Sequence, residues 1–156
     1  MIAEKNYLIS KLKEAGIKSQ VYTSMKKLKQ SNEIHIAAVL IDGETFIRSG
    51  SKRKYDQEGQ RKRRIKLFEK TTKIKVVIAD SDEKKVNEIL ENFLIKIGKG
   101  FEENSNWIEL TVGDADWVEE GDSILKAKIA VQLELTFNSG IYEDRDIKPM
   151  SIGDVN

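Results

Sequence analysis

From Leu125 to Phe137 the apolar residues fall on every second position: Leu125, Ala127, Ile129, Val131, Leu133, Leu135 and Phe137, with Lys126, Lys128, Ala130, Gln132, Glu134 and Thr136 between them. Side chains of a strand switch faces at each residue, so this pattern predicts one long β-strand with an oily face and a wet or polar-packed face. At roughly 3.3 Å per residue it runs on the order of 40 Å, about twice a common strand length. A strand of that length projects past the core of its own domain, where it can meet a neighbouring subunit. The pattern points to assembly before it points to catalysis.

The rest of the chain is read against that strand. Tyr7, Leu8, Ile9, Leu12 and Ala15 share a helical stripe over residues 4–15, and Gly16 follows as a C-cap. Val21 and Tyr22 suggest a short strand, and residues 24–30 a short helix or a loop. Residues 33–41 read as a buried strand, Asp42-Gly43 as a tight hairpin turn, and 44–48 as the start of the return strand. Residues 49–60 hold almost no aliphatic side chains and read as an arm or long hairpin with basic limbs. Strand character resumes over 61–71 and 73–79. Asp80 to Glu83 then open a helix in which Val86, Ile89, Leu90, Phe93, Leu94 and Ile97 recur at helical spacing, stopped by Gly98 and Gly100. A polar loop over 102–106, a strand over 107–112 and a turn-rich stretch from Gly113 to Asp122 lead into the long strand. The expected fold is α+β: a single mostly antiparallel sheet with two or three helices packed on one face and a long projecting hairpin arm. Residues 1–142 form one domain, 48–64 its arm, and 143–156, with the single proline Pro149, a flexible tail.

Charge sharpens the picture. The 156 residues carry 27 basic and 26 acidic side chains, so the overall +1 gives no global attraction to nucleic acid or membrane. Locally the balance breaks. Arg48, Lys52, Arg53, Lys54, Arg61, Lys62, Arg63, Arg64 and Lys66 stand against only Asp56 and Glu58, about +7 in one segment and about −6 for the remainder. Absent cysteine removes disulfides, thiolate metal sites and a Cys nucleophile, and no run approaches a membrane span or the apolar core of a signal peptide. The expectation is a soluble protein made in the cytoplasm.

Catalytic sets are scarce. His35, the only histidine, sits in an apolar strand and reads as structural, which removes imidazole-based metal sites and Ser-His-Asp chemistry. Asp80 with Asp82, and Asp114 with Asp116, have the oxygen donors that Mg²⁺ wants, but capping explains the first pair and a turn the second. Ile97-Gly-Lys-Gly ends a helix, whereas a phosphate loop must begin one. No catalytic residue, metal or cofactor is expected. The basic arm, with Tyr55 for stacking, reads as a nucleic-acid contact, as a partner for acidic clusters of an adjacent subunit at Glu102-Glu103 and Glu119-Glu120-Asp122, or as an ordinary solvated flap. Trp107 reads as core and Trp117 as an interface anchor. The candidate contact residues are Arg53, Lys54, Arg61, Arg63, Arg64, Trp117, Lys128, Gln132 and Glu134.

An N-terminal helix, a hairpin with a long arm, a strand leading into one packed helix, and a close on IELTVGDADW and AKIAVQLELTFNSGIY together make residues 5–142 resemble the small tail-terminator and tail-completion proteins of long-tailed bacteriophages. The resemblance implies a non-enzymatic virion protein that forms a ring, typically a hexamer. That ring stacks on the last ring of the tail tube, stops its growth and presents a surface to the head connector. It implies that Leu125 to Phe137 and Arg48 to Arg64 make subunit contacts. The alternative from another class is a small nucleic-acid-binding module using residues 48–66.

Overall fold

The computed structural model describes residues 2–57, 60–118 and 129–146. Along these the chain forms α1 (Ile2–Glu14), β1 (Val21–Tyr22), α2 (Met25–Gln30), β2 (Ile36–Arg48), β3 (Lys52–Gln57), β4 (Gln60–Asp80), α3 (Glu83–Lys96), β5 (Gly100–Glu103), β6 (Asn106–Val118) and β7 (Ile129–Asp146). The strands make one sheet in the order β1-β2-β4-β7-β6-β5, with β3 added to β4 beyond the end of β2. Only β1 and β2 run parallel; every other neighbouring pair is antiparallel. The fold is α+β on a single sheet, as the alternation and the two helical stripes predict.

Strand parity decides the two faces. Val131, Leu133, Leu135 and Phe137 of β7 lie with Ile74, Val76 and Ile78 of β4 and Ala37 and Val39 of β2 in the main core. Over them pack Leu8 and Leu12 from α1 and Val86, Ile89, Leu90 and Phe93 from α3. The opposite parity, Ile36, Ala38, Leu40, Val77, Ala79 and Ala130, forms a smaller cluster closed by Leu28 of α2. Two helices thus share one face, and the short third helix covers the other. Aromatic contacts pin the main layer at its centre: Tyr7 stacks on Phe101 at 4.5 Å, Phe101 meets Phe137 edge-on at 6.1 Å, and the Tyr7 hydroxyl accepts the Gly98 N–H at 3.0 Å.

Local chemistry sets the helix ends. Gly16, at φ 116°, lets Ile17 N–H reach Leu12 O and its own N–H reach Lys13 O, the paired bonds of a glycine C-cap that also turn Ile17 into the core. Ser24 and Asp82 cap α2 and α3 by accepting the Lys27 and Lys85 N–H groups.

Several sequence expectations are corrected. Asp42-Gly43 makes no turn. Ile41 pairs with Ile74 and Gly43 with Lys73, so Asp42 is the extra residue of a bulge and the strand continues to Arg48. The return strand is β4, one strand of 21 residues where two were expected. Residues 102–106 are a hairpin: β5 and β6 meet across Asn104 and Ser105, whose φ of 50° and 62° suit a primed two-residue turn. Gly113 to Val118 extend β6 past a bulge between Val112 and Ala115, so Asp114 and Asp116 lie on a strand and not in a turn. Lys128 and the segment Leu125 to Ala127 lie outside the described residues, as do residues 119–122. At its other end the long strand exceeds expectation: Glu143 to Asp146, assigned to the tail, pair with Lys62 to Ile65.

Because Leu133 is buried between β4 and the helices, Leu133→Asp should unfold the domain. An unpaired carboxylate there costs several kcal/mol, of the order of the roughly 5–15 kcal/mol that hold a domain together. Circular dichroism of the variant should show loss of native structure at room temperature. Glu134→Ala, one residue along on the exposed face, should melt like the parent.

Candidate functional site: a projecting ribbon

The helices are far shorter than the sheet. The 13 residues of α1 and 14 of α3 reach about 20 Å each. The 21 residues of β4 reach about 70 Å before twist shortens them. The core therefore stops part-way along. At Thr72, which is fully buried, the helix-side face turns polar: the Thr72 hydroxyl donates to Glu44 Oε2 at 3.3 Å and Lys70 Nζ lies 3.4 Å from the same oxygen. Beyond this point β2 with β3, β4 and β7 run on as a three-stranded ribbon, and the start of α1, at Ala3 and Glu4, reaches it beside Lys70 and Gly140.

The ribbon carries apolar side chains in water. Phe46 is 50% exposed and Ile47 63%, on opposite faces of β2, and Ile141 is exposed beside Phe68. The Arg48 guanidinium lies 4.9 Å from the centre of the Phe68 ring.

A second bulge, at Leu67, fixes how the cations are distributed. Lys66 pairs with Tyr142 and Phe68 with Ile141, leaving Leu67 unmatched, so parity along β4 inverts there. Arg64 falls on the face away from α1 and α3. Its Nε donates to Asp144 Oδ1 at 2.7 Å, its Nη2 to Oδ2 at 3.0 Å and its Nη1 to the Asn104 carbonyl, while Tyr142 lies 5.9 Å below the guanidinium. This two-pronged pair, with the Arg64 side chain only 11% exposed, ties β4, β7 and the β5–β6 turn together. Arg64 is an internal tie.

Arg63 falls on the other face. The register places Lys54, Arg63 and Arg145 in one row across β3, β4 and β7. Like charges in directly opposed positions repel. Arg145 is partly compensated by Glu143, 2.6 Å away, whereas Arg63 Nε is closed off from water with no hydrogen-bond partner among the described residues. Arg53 pairs with Arg64, and Arg61 with Asp56.

The remaining predicted contact residues sit elsewhere. Gln132 and Glu134 lie on β7 level with Asp116 and Lys75, some ten residues from the basic row, and Trp117 of β6 pairs with Val131 of β7. Trp117 is 41% exposed. Trp107 corrects the reading of it as core: it is 57% exposed, because Ile108 and Leu110 take the core parity of β6 and push it to the other face. There its ring covers Gly100, where a Cβ would stand 2.9 Å from Trp107 Cζ2 and 2.1 Å from the Ile108 carbonyl oxygen.

His35 flanks β2 and is fully engaged. Its Nε2 accepts the Lys18 N–H at 3.1 Å, so Nδ1 carries the proton that it shares with Asp80 Oδ2 at 2.8 Å. Burial pushes the Asp80 carboxyl up, but hydrogen bonds from His35 and the Ser81 N–H, with the charge of Lys85, outweigh it and hold the group below its ordinary range. Asp82 is occupied as a helix cap. Among the described residues no three His, Asp or Glu side chains gather to hold a metal, and no helix is long and apolar enough to cross a membrane. No protein-family model matches the chain, and no curated protein matches its sequence.

Two outcomes follow from these ties. A carboxylate held below its ordinary pKa stabilises the fold fully above the ordinary range and loses that contribution as pH falls through it. Asp80→Asn should therefore lose about 1–3 kcal/mol at neutral pH and show a shallower drop in melting temperature than the parent down to about pH 3. Arg64→Ala should lose about 1–2 kcal/mol in urea titration, and Arg64→Lys should recover only part of it, because an ammonium cannot reproduce the fork.

Proposed function

We propose that the protein is a non-enzymatic assembly subunit that closes into a ring and caps the tail tube of a long-tailed bacteriophage, as a tail terminator or head-tail joining protein. The observation that carries this reading is the ribbon. A chain whose 21-residue strand β4 runs from the core out into a projection, with Phe46, Ile47 and Ile141 set in water among cations, presents a surface suited to partner proteins. Six copies is the ring size the family resemblance implies, with the tube protein on one side and the head connector on the other. The protein would be made in the host cytoplasm and carried in the virion.

A second reading rests on the row Lys54, Arg63 and Arg145, which could follow a phosphate backbone. It needs no oligomer and predicts a different salt response.

Native mass measurement and negative-stain imaging of the isolated protein, alone and with tail tubes, test the proposal. Rings that dock on tube ends are expected. Lys54→Ser, Arg61→Ser and Arg63→Ser together should leave the melting temperature nearly unchanged and abolish rings or docking; Arg64 is left intact because of its internal role. Tight duplex binding by a monomer, weakening with a log-log salt slope of about −0.9 per phosphate, would establish the second reading instead.

A further inference from the structure

Both long edges of the sheet are open for much of their length, and they carry opposite charge. On one side β1 covers only Ala37 and Ala38 of β2, and beyond them β2 and β3 have no outer neighbour among the described residues. On the other side β5 covers β6 only from Asn106 to Glu109, with Leu110 N–H bonded to Lys99 O, so Thr111 to Val118 have no outer neighbour among the described residues. Eight residues of bare edge are enough to seat a whole added strand.

The first edge ends in Lys52, Arg53 and Lys54 of β3, backed by the row through Arg63 and Arg145. The second carries Asp114 and Asp116, both exposed, with Glu102, Glu103 and Glu109 on the adjoining hairpin against Lys99 alone. Val112 and Trp117 supply exposed apolar surface on the acidic edge, and Phe46 and Ile47 supply it beside the basic one. The like charges that the register sets in one row, Lys54, Arg63 and Arg145, favour a carboxylate brought in from outside.

We infer that the outer edge of β3 in one copy of the protein docks against the outer edge of β6, Thr111 to Val118, in the next copy, basic strand against acidic strand. The occupant is a second copy because this chain supplies both halves of the match. The contact uses two different surfaces, so it propagates head to tail and closes into a ring where the rotation allows. This inference rests on the ring-forming reading and gives that ring its interface.

Charge swapping tests it. Lys52→Glu with Lys54→Glu makes both edges acidic, and Asp114→Lys with Asp116→Lys makes both basic. Each variant alone should fall from ring mass to monomer mass, with assembly weakened at least about tenfold. Mixed in equal amounts, the two should assemble again, since each then offers the edge the other needs. As a second measurement, Lys52→Cys and Asp116→Cys placed together in this cysteine-free chain should give a ladder of covalent multimers with a short bismaleimide, and each alone should not. Rings of the parent protein that persist in both charge variants, or a mixture of folded variants that stays monomeric, would overturn the edge contact while leaving the ring reading intact. A parent protein that stays monomeric at every concentration and on tail tubes would overturn both.

Discussion

The antiparallel pairing of β4 with β7 is the constraint on which the rest of the molecule depends. It runs from Lys62 opposite Asp146 to Asp80 opposite Ile129, nearly the whole length of both strands. Side chains alternate with a period of two, so this register alone determines that Leu133 lies beside Val76 and Leu135 beside Ile74 under the helices. A slip by one residue would carry that set into water. The bulge at Leu67 is the single interruption, and it has a large effect. It puts Arg64 on the face where Asp144 and Asn104 wait for it and sets Arg63 in register between Lys54 and Arg145. Two adjacent arginines with the same chemistry thus differ: one is an internal tie, and the other has a buried Nε with no hydrogen-bond partner among the described residues.

One sheet serves two regimes of stability. Over the helix-covered part, burial of Phe93, Phe137, Leu8 and Leu12 provides the driving force. Past Thr72 that force fades, and the ribbon is held by backbone pairing, the Arg64 fork, Lys66 with Glu69, and ring contacts from Arg48, Arg64 and Lys66. Exposed pairs of this kind contribute little each. The ribbon is therefore the part of the fold with most to gain from contact with another molecule, since Phe46, Ile47 and Ile141 stand exposed on it.

The alternation of β7 and the stripes of α1 and α3 were legible because burial repeats with the period of the element. What sequence left hidden has a common physical origin: signals that depend on a neighbouring strand. Asp42-Gly43 favours a turn in isolation, yet with β4 extending alongside it the chain absorbs the extra residue as a bulge. Glu143 to Asp146 look like a loose charged tail until Arg64 is seen to need Asp144. Asn104-Ser105 makes a primed turn without the usual glycine in second place. Trp107 was misplaced because an aromatic at a strand start suggests burial, while the parity set by Ile108 and Leu110 sends it outward. The cationic surface was visible as composition; its division into internal and outward members was not, because that division rests on the Leu67 bulge.

Open edges are ordinarily a hazard, and proteins blunt them with charges and bulges. Both devices are here, with lysines on β3 and bulges at Asp42 and at Gly113-Asp114, so the same features could be read as pure defence. The signs argue for more. A defence works whichever charge each edge carries, and two basic or two acidic edges would repel every approach. Opposite signs repel β3 from β3 and β6 from β6, which disfavours the two-fold dimer most chains fall into, and leave one approach attractive, unlike edge to unlike edge. That selection against the symmetric pair and for the directional one is what the proposed ring needs and what a monomer that merely stays soluble would not.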